Sequence, residues 1–166
     1  MSELRRLSKA GIAFLIGFEA IRLTPYQDGA GVWTDGIGNT ENVVPGKDIT
    51  LAKAYADFDR HVDKFSATVR NSLTKPVSQT TFDSYVSLAF NAGQGAWLSS
   101  STLKAHNAGK PMDACLYMMR WVYITNPKTK KKEFSRGLWN RRYQEYNYCI
   151  AGVDNAQWSQ VSRFRR

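Results

Sequence analysis

Between Pro25 and Val44 the chain abandons helical periodicity, and this interruption constrains its fold more than any other feature. Asp28-Gly29, Gly31, Gly36 and Gly38 alternate with the β-formers Val32, Trp33, Thr34 and Ile37, and Pro45-Gly46 closes the stretch. That pattern predicts a small antiparallel sheet with a tight turn near Asp28 to Gly31. On its N-terminal side, Ser8 is placed to cap a helix through Ile12, Leu15 and Ile16, ending near Phe18 or Glu19. On its C-terminal side, Ala52, Tyr55, Asp59, Val62, Phe65 and Val69 recur at helical steps after Thr50 and predict a long helix to about Leu73. The expected fold class is α+β and mostly helical: a small N-terminal antiparallel β-sheet lobe joined by a long helix to a helical C-terminal lobe. The whole chain, 1–166, reads as one domain. Its lobes are expected at about 19–50 for the sheet and 8–18 plus 76–166 for the helices, with 51–73 connecting them.

Lys75-Pro76 ends the long helix and Ser78 caps the next, whose face is Phe82, Tyr85, Val86, Ala89 and Phe90. Gly93-Gln94-Gly95 stops it. Short helical segments are expected at Ser101–Asn107 and Met112–Val122, separated by Gly109 and Pro111. Asn126 to Glu133, with Lys128, Lys130, Lys131 and Lys132, reads as an exposed loop, because four ammonium groups cannot be buried unpaired. A final amphipathic helix is expected from about Leu138 to Ile150, with Gly152 as its C-terminal cap.

The chain offers little for most chemistries. Its two histidines, His61 and His106, have no partners at metal-ligand spacing and read as solvated or hydrogen-bonded side chains. No metal and no cofactor are implied. A GxSxG nucleophile elbow and a GxxxxGK[ST] phosphate loop are both missing. Cys115 and Cys149 are too few and too far apart for a disulfide framework or a zinc site. Buried thiols in a reducing cytoplasm are expected, with one pairing of the two left open. The opening MSELRRLSKAGIAFLIGFEA has arginines ahead of an apolar run, as a secretion signal does, but lacks a small-residue cleavage site and is bracketed by Glu3 and Glu19. It reads as a mature helix, too short to cross a bilayer.

What remains is a pair of carboxylates. Glu19 and Asp28 have eight residues between them, and the helix-to-hairpin reading brings both to the edges of a cleft between lobes. Glycoside hydrolysis needs such a pair, one carboxyl to protonate the leaving oxygen and one to activate water or stabilise charge. On spacing alone, two exposed surface acids remain an equal reading.

Glu19, Asp28 and Thr34, set within GFE…YxD…GVWTxGxGxT, resemble the catalytic signature of the phage-type lysozymes, glycoside hydrolase family 24. FDSYVSLAFNAGQGAW resembles that family's central helix and the turn after it, while Arg120-Trp121 and GLWNRRYQEYNYCIAG resemble its C-terminal helical motif. The resemblance runs from about Leu7 to Gly152. It implies an inverting muramidase that cuts the β-1,4 bond between N-acetylmuramic acid and N-acetylglucosamine in peptidoglycan. Glu19 is then the general acid, Asp28 positions or activates water on the opposite sugar face, and Thr34 helps hold that water. Burial and a helix end would raise the pKa of Glu19, and an arginine would lower it. Arg141 is the arginine expected beside it, with Arg142 second. Phe90 and Asn91 correspond to cleft positions, although Phe90 also fits a core pattern; Ser101 and Thr102 are weaker candidates for sugar contacts. Asn39 stands where many members have a histidine, so a histidine–carboxylate pair used there for stability would be missing. Alternation directs Asp35 away from the face of Thr34.

Charge is unevenly spread. Residues 1–119 carry 12 Lys and Arg against 11 Asp and Glu, whereas residues 120–166 carry 11 against 3. Such a segment attracts polyanions. For an endolysin, it would tether a monomer to the anionic bacterial envelope after synthesis in the host cytoplasm, with a holin opening the way to the wall. Two rival readings stand beside this one. A nucleic-acid module would use the basic third with Trp139, Tyr143, Trp158 and Phe164 as stacking groups, yet no recognised nucleic-acid motif occurs. A lytic transglycosylase would need the acid but not Asp28.

Overall fold

The structure is a computed structural model and describes residues 6–163, with side chains from Arg6 to Val153. The first helix, α1 (Lys9–Ile16), is capped by Ser8, whose hydroxyl accepts from Gly11 N. It ends at Gly17, earlier than the periodicity predicts, and Glu19 lies in the turn beyond, where its N–H donates to Ile16 O at 3.0 Å. Strands β1 (Ile21–Gln27) and β2 (Trp33–Ile37) then form an antiparallel pair in which Tyr26 faces Thr34 and Gln27 faces Trp33. The register slips between Arg22 and Tyr26, beside Pro25, which has no N–H to give to a ladder.

Thr50 caps the long helix α2 (Leu51–Ser72) as expected, and of the six residues that recur at helical steps Val62 and Val69 face the core. Ala54, Phe58, His61, Val62, Ser66 and Val69 are buried, while Ala52, Tyr55 and Asp59 are exposed. His61 is therefore not a solvated side chain.

Helix α3 (Gln79–Ala92), capped by Ser78, is the centre of the molecule. Every residue from Thr81 to Ala89 is buried, polar ones included. Asp83 survives there because it accepts from Ser8 N, the Ser8 hydroxyl and Gln79 Nε2, and Gly11 leaves room for its carboxylate. Short helices α4 (Gln94–Leu98), α5 (Ser101–Asn107) and α6 (Pro111–Tyr117) follow, the last running into a 3-10 turn at Met118–Arg120. His106 is buried, with Nδ1 3.0 Å from the Tyr85 hydroxyl.

Three expectations fail in the C-terminal third. The lysine-rich loop is exposed as predicted, but it tips a hairpin of β3 (Tyr123–Thr125) and β4 (Lys132–Phe134), strands too short to announce themselves by alternation. The last helix, α7 (Arg136–Arg163), runs through Gly152 rather than ending there. That glycine is a packing position: a Cβ would lie against Ser78 Oγ, 2.5 Å from Thr81 Oγ1 and 2.9 Å from Thr81 N. Finally, Cys115 and Cys149 are not thiols but a disulfide joining α6 to α7, with Cα atoms 5.7 Å apart. Their 34-residue separation says nothing about distance once these two helices pack side by side. The Trp158 side chain and Phe164 lie outside the described residues. Among the described residues no helix is long and apolar enough to cross a membrane.

Candidate active site

A cleft of about 460 Å³ opens between the sheet and the helices, and Glu19, Asp28, Thr34, Phe90 and Asn91 all line it. Three different local structures bring the first three together. Glu19 sits in the turn after α1, Asp28 at the end of β1, and Thr34 near the start of β2.

Asp28 is held by its own turn. Oδ1 accepts from Ala30 N at 2.9 Å and Val32 N at 2.8 Å, and Gly31, at φ 80°, turns the chain back so that Asp28 and Val32 pair through the backbone. One carboxylate oxygen is immobilised; Oδ2 has no protein partner among the described residues. Thr34 is buried, and its hydroxyl donates to Val32 O at 3.1 Å. The donor is thus spent, leaving lone pairs to accept from a solvent molecule.

Glu19 is anchored from the other side. Its Oε1 accepts from Arg141 Nη1 at 2.8 Å, and its Oε2 would lie 2.9 Å from a Cβ placed on Gly38. Gly38 has φ 68°, so this residue both makes the turn and clears space for the carboxylate. The expected partner, Arg141, is itself fixed: Nε donates to Glu145 Oε1 at 3.0 Å, and its guanidinium lies 4.7 Å over the Phe18 ring.

Behind this pair is a buried assembly that sequence reasoning missed. Glu145 is fully buried and accepts from Ser87 Oγ at 2.7 Å and from both arginines, with Arg142 Nε 2.8 Å from its second oxygen. Arg142 also donates to Asn91 Oδ1 at 2.7 Å, which fixes a cleft-lining amide. Burial pulls the Arg142 guanidinium down to about 10, against the pull of Glu145. Glu145 thus lies between the two guanidinium groups, with Glu19 on the far side of Arg141. The RRxxE spacing on α7 was the available signal, since i,i+3 and i,i+4 residues meet on a helix; its partners on α3 were not readable.

Phe90 is half-buried, in ring contact with Phe58 and Phe65 at 5.8 and 5.6 Å, so it serves core and cleft wall at once. Ser101 does not join the cleft. It lines a separate cavity of about 320 Å³, where its hydroxyl accepts from Arg120 Nη1 at 2.7 Å, and Thr102 is wholly buried. Asp35 is also buried outside the cleft, accepting from Asn39 Nδ2 at 2.7 Å, as alternation requires.

No histidine takes part at position 39, where Asn39 bonds Asp35 instead, but a histidine–carboxylate pair forms elsewhere on the cleft wall. His61 on α2 lies with Nε2 3.3 Å from Glu41 Oε2, and both line the cleft. Hydrogen bonds from Lys64 and Arg60, with the His61 ring alongside, hold the Glu41 carboxyl down to about 2. Tyr26, another lining residue, is raised above its ordinary range by burial, with Glu19 and Asp28 adding to the rise and Arg22 opposing it.

A family model described as Phage lysozyme matches residues 16–145. An endolysin of Acyrthosiphon pisum secondary endosymbiont phage 1 is 33% identical over 115 residues, covering 69% of this chain and 79% of the relative. Among solved structures, an endolysin from Escherichia coli O157:H7 phage FAHEc1 is 32% identical, with a TM-score of 0.79 over 90% of this chain and 96% of the other. The active form of the P1 phage endolysin Lyz is 28% identical, with a TM-score of 0.76 over 90% and 87% of the two chains.

Proposed function

Because the chain belongs to the phage lysozyme family and is a glycoside hydrolase of the lysozyme type, we propose that Glu19 and Asp28 hydrolyse peptidoglycan with inversion at the cut sugar. The observation that carries this reading is that Glu19, Asp28 and Thr34 line one cleft, each held by a different anchor.

With Oε1 committed to Arg141, the proton of Glu19 belongs on Oε2, from which it passes to the glycosidic oxygen as the bond to N-acetylmuramic acid breaks. Water held between Asp28 Oδ2 and the Thr34 lone pairs attacks the anomeric carbon from the opposite face, and Asp28 takes its proton. Asp28 also stabilises the positive charge that develops on the sugar. Asn91, fixed by Arg142, and Phe90 contact the saccharide. Arg141 acts through Glu19 as a positioning residue.

The cellular setting follows from the same reading. A monomer is made in the host cytoplasm, gains the wall through a membrane lesion made by a holin, and is concentrated at the anionic envelope by residues 120–166.

Clearing of purified peptidoglycan by wild type, Glu19→Gln and Asp28→Asn tests the assignment. Wild type should clear, and Glu19→Gln should lose about 10²-fold or more of the rate, as expected for a missing general acid. NMR of the fresh product should show the α-anomer at a new reducing end. A β-anomer would exclude inversion, and an anhydro sugar would make the enzyme a transglycosylase. Three variants clearing equally would remove the pair from the chemistry.

A further inference from the structure

The β3–β4 hairpin carries charge that the reaction at Glu19 does not use. Lys128, Lys130, Lys131 and Lys132 are all exposed, and among the described residues none of them forms an ion pair. They are not loosely strung. Asn126 organises the tip: its Oδ1 accepts from Lys128 N and Thr129 N, its backbone pairs with Lys130 and Lys131, and its Nδ2 binds Glu133. The one acid of the hairpin is thereby tied up while four ammonium groups stay free. Lys130 holds φ 59°, a left-handed position that a β-turn of this shape demands. At the base, Tyr123 pairs with Phe134 across the strands, ring to ring at 6.3 Å, and both are more than half exposed.

This hairpin also borders space next to the catalytic cleft. A second cavity of about 540 Å³ shares Asp28, Asn91 and Ala92 with the first, and its far wall includes Tyr123 and Ile124. The two cavities adjoin at these residues, so the base of the hairpin borders space continuous with the catalytic cleft. Peptidoglycan glycan is uncharged along its backbone apart from what hangs from the muramic acid lactyl group, a peptide rich in free carboxylates. Resting on the proposed muramidase activity, we propose that the hairpin from Tyr123 to Phe134 is a specificity element that receives these stem-peptide carboxylates on its lysines. Continuity with the cleft favours this occupant over a lipid surface, which could meet the lysines anywhere on the molecule. Opposite charges also steer long substrates towards the site before contact.

Single exposed ion pairs are weak, so the four lysines are tested together as Lys→Gln. The substrates are lipid-free sacculi that keep their stem peptides, and glycan strands from which an amidase has removed them. On sacculi at low salt the variant should show KM raised roughly tenfold, with kcat within about twofold, and a flatter dependence on ionic strength. On stripped glycan it should match wild type, and a Lys→Arg version should behave as wild type on both. Unchanged melting would show that the exposed tip is not structural. Equal losses on both substrates, or no loss on either, would overturn the proposal. So would unchanged kinetics on sacculi with lost binding to vesicles of anionic phospholipid, which would assign the lysines to the membrane. Wild type on stripped glycan serves as the separate control: if it does not cleave, the muramidase assignment fails independently of the hairpin, and if Glu19→Gln cleaves as well as wild type, Glu19 is not the acid.

Discussion

Gly38 shows how narrowly the proposed acid is accommodated. With φ at 68° and Glu19 Oε2 2.9 Å from any added Cβ, alanine there meets backbone strain and displaces the carboxylate. Gly38→Ala is expected to cost about 1–3 kcal/mol of stability, read by thermal or urea unfolding. It should also lower kcat more than it raises KM, since Glu19 would leave its position against Arg141. A variant with wild-type kcat would show that Gly38 does not position Glu19. Glu19, Asp28 and Thr34 were legible because their order and spacing form a motif within 16 residues. Glu145 was not, since its meaning depends on Ser87, 58 residues away, and on arginines whose direction only packing decides. For His61 the solvated alternative fell for the same reason, since the packing of α2 turns it inward beside Glu41.

Elements declared by caps were readable, and elements declared by packing were not. Ser8, Thr50, Ser78 and Ser100 each cap a helix with a side-chain hydrogen bond, so the starts of α1, α2, α3 and α5 are written locally. The buried face of α2 and the length of α7 depend on what lies against them. Gly152 is the clearest case. In an isolated helix alanine would be favoured there by about 1 kcal/mol, but a Cβ would drive into Ser78 and Thr81 at the start of α3. Gly152→Ala should therefore destabilise the protein, by about 1–3 kcal/mol in urea unfolding, as overpacking does. A stabilised variant would mean that α7 can shift away from α3 at little cost.

At the scale of the whole molecule, two covalent or ionic ties join parts distant in sequence. Glu41, in the loop after β2, is gripped by Arg60, His61 and Lys64 on α2. Because its pKa is lowered to about 2, this tie contributes fully above the ordinary carboxylate pKa near 4.5 and is lost as pH falls from there towards 2. The carboxylate is more than a third exposed, so solvent limits the contribution to about 1 kcal/mol or less. The acid limb of a stability profile should flatten by that amount in Glu41→Gln, and an unchanged limb would count against the tie. The overall fold class was legible because it follows from the change of period around the glycine-rich segment. The disulfide was not, since sequence separation does not report which helices become neighbours. Closing 34 residues by Cys115–Cys149 stabilises by up to about 4 kcal/mol on chain-entropy grounds, so dithiothreitol should lower Tm by about 10 °C, and Cys115→Ala should mimic it. An unmoved Tm after verified reduction would show that packing of α6 on α7 suffices alone. In the oxidised protein α6 is thus leashed to α7, so the two cannot drift apart without first severing a covalent link.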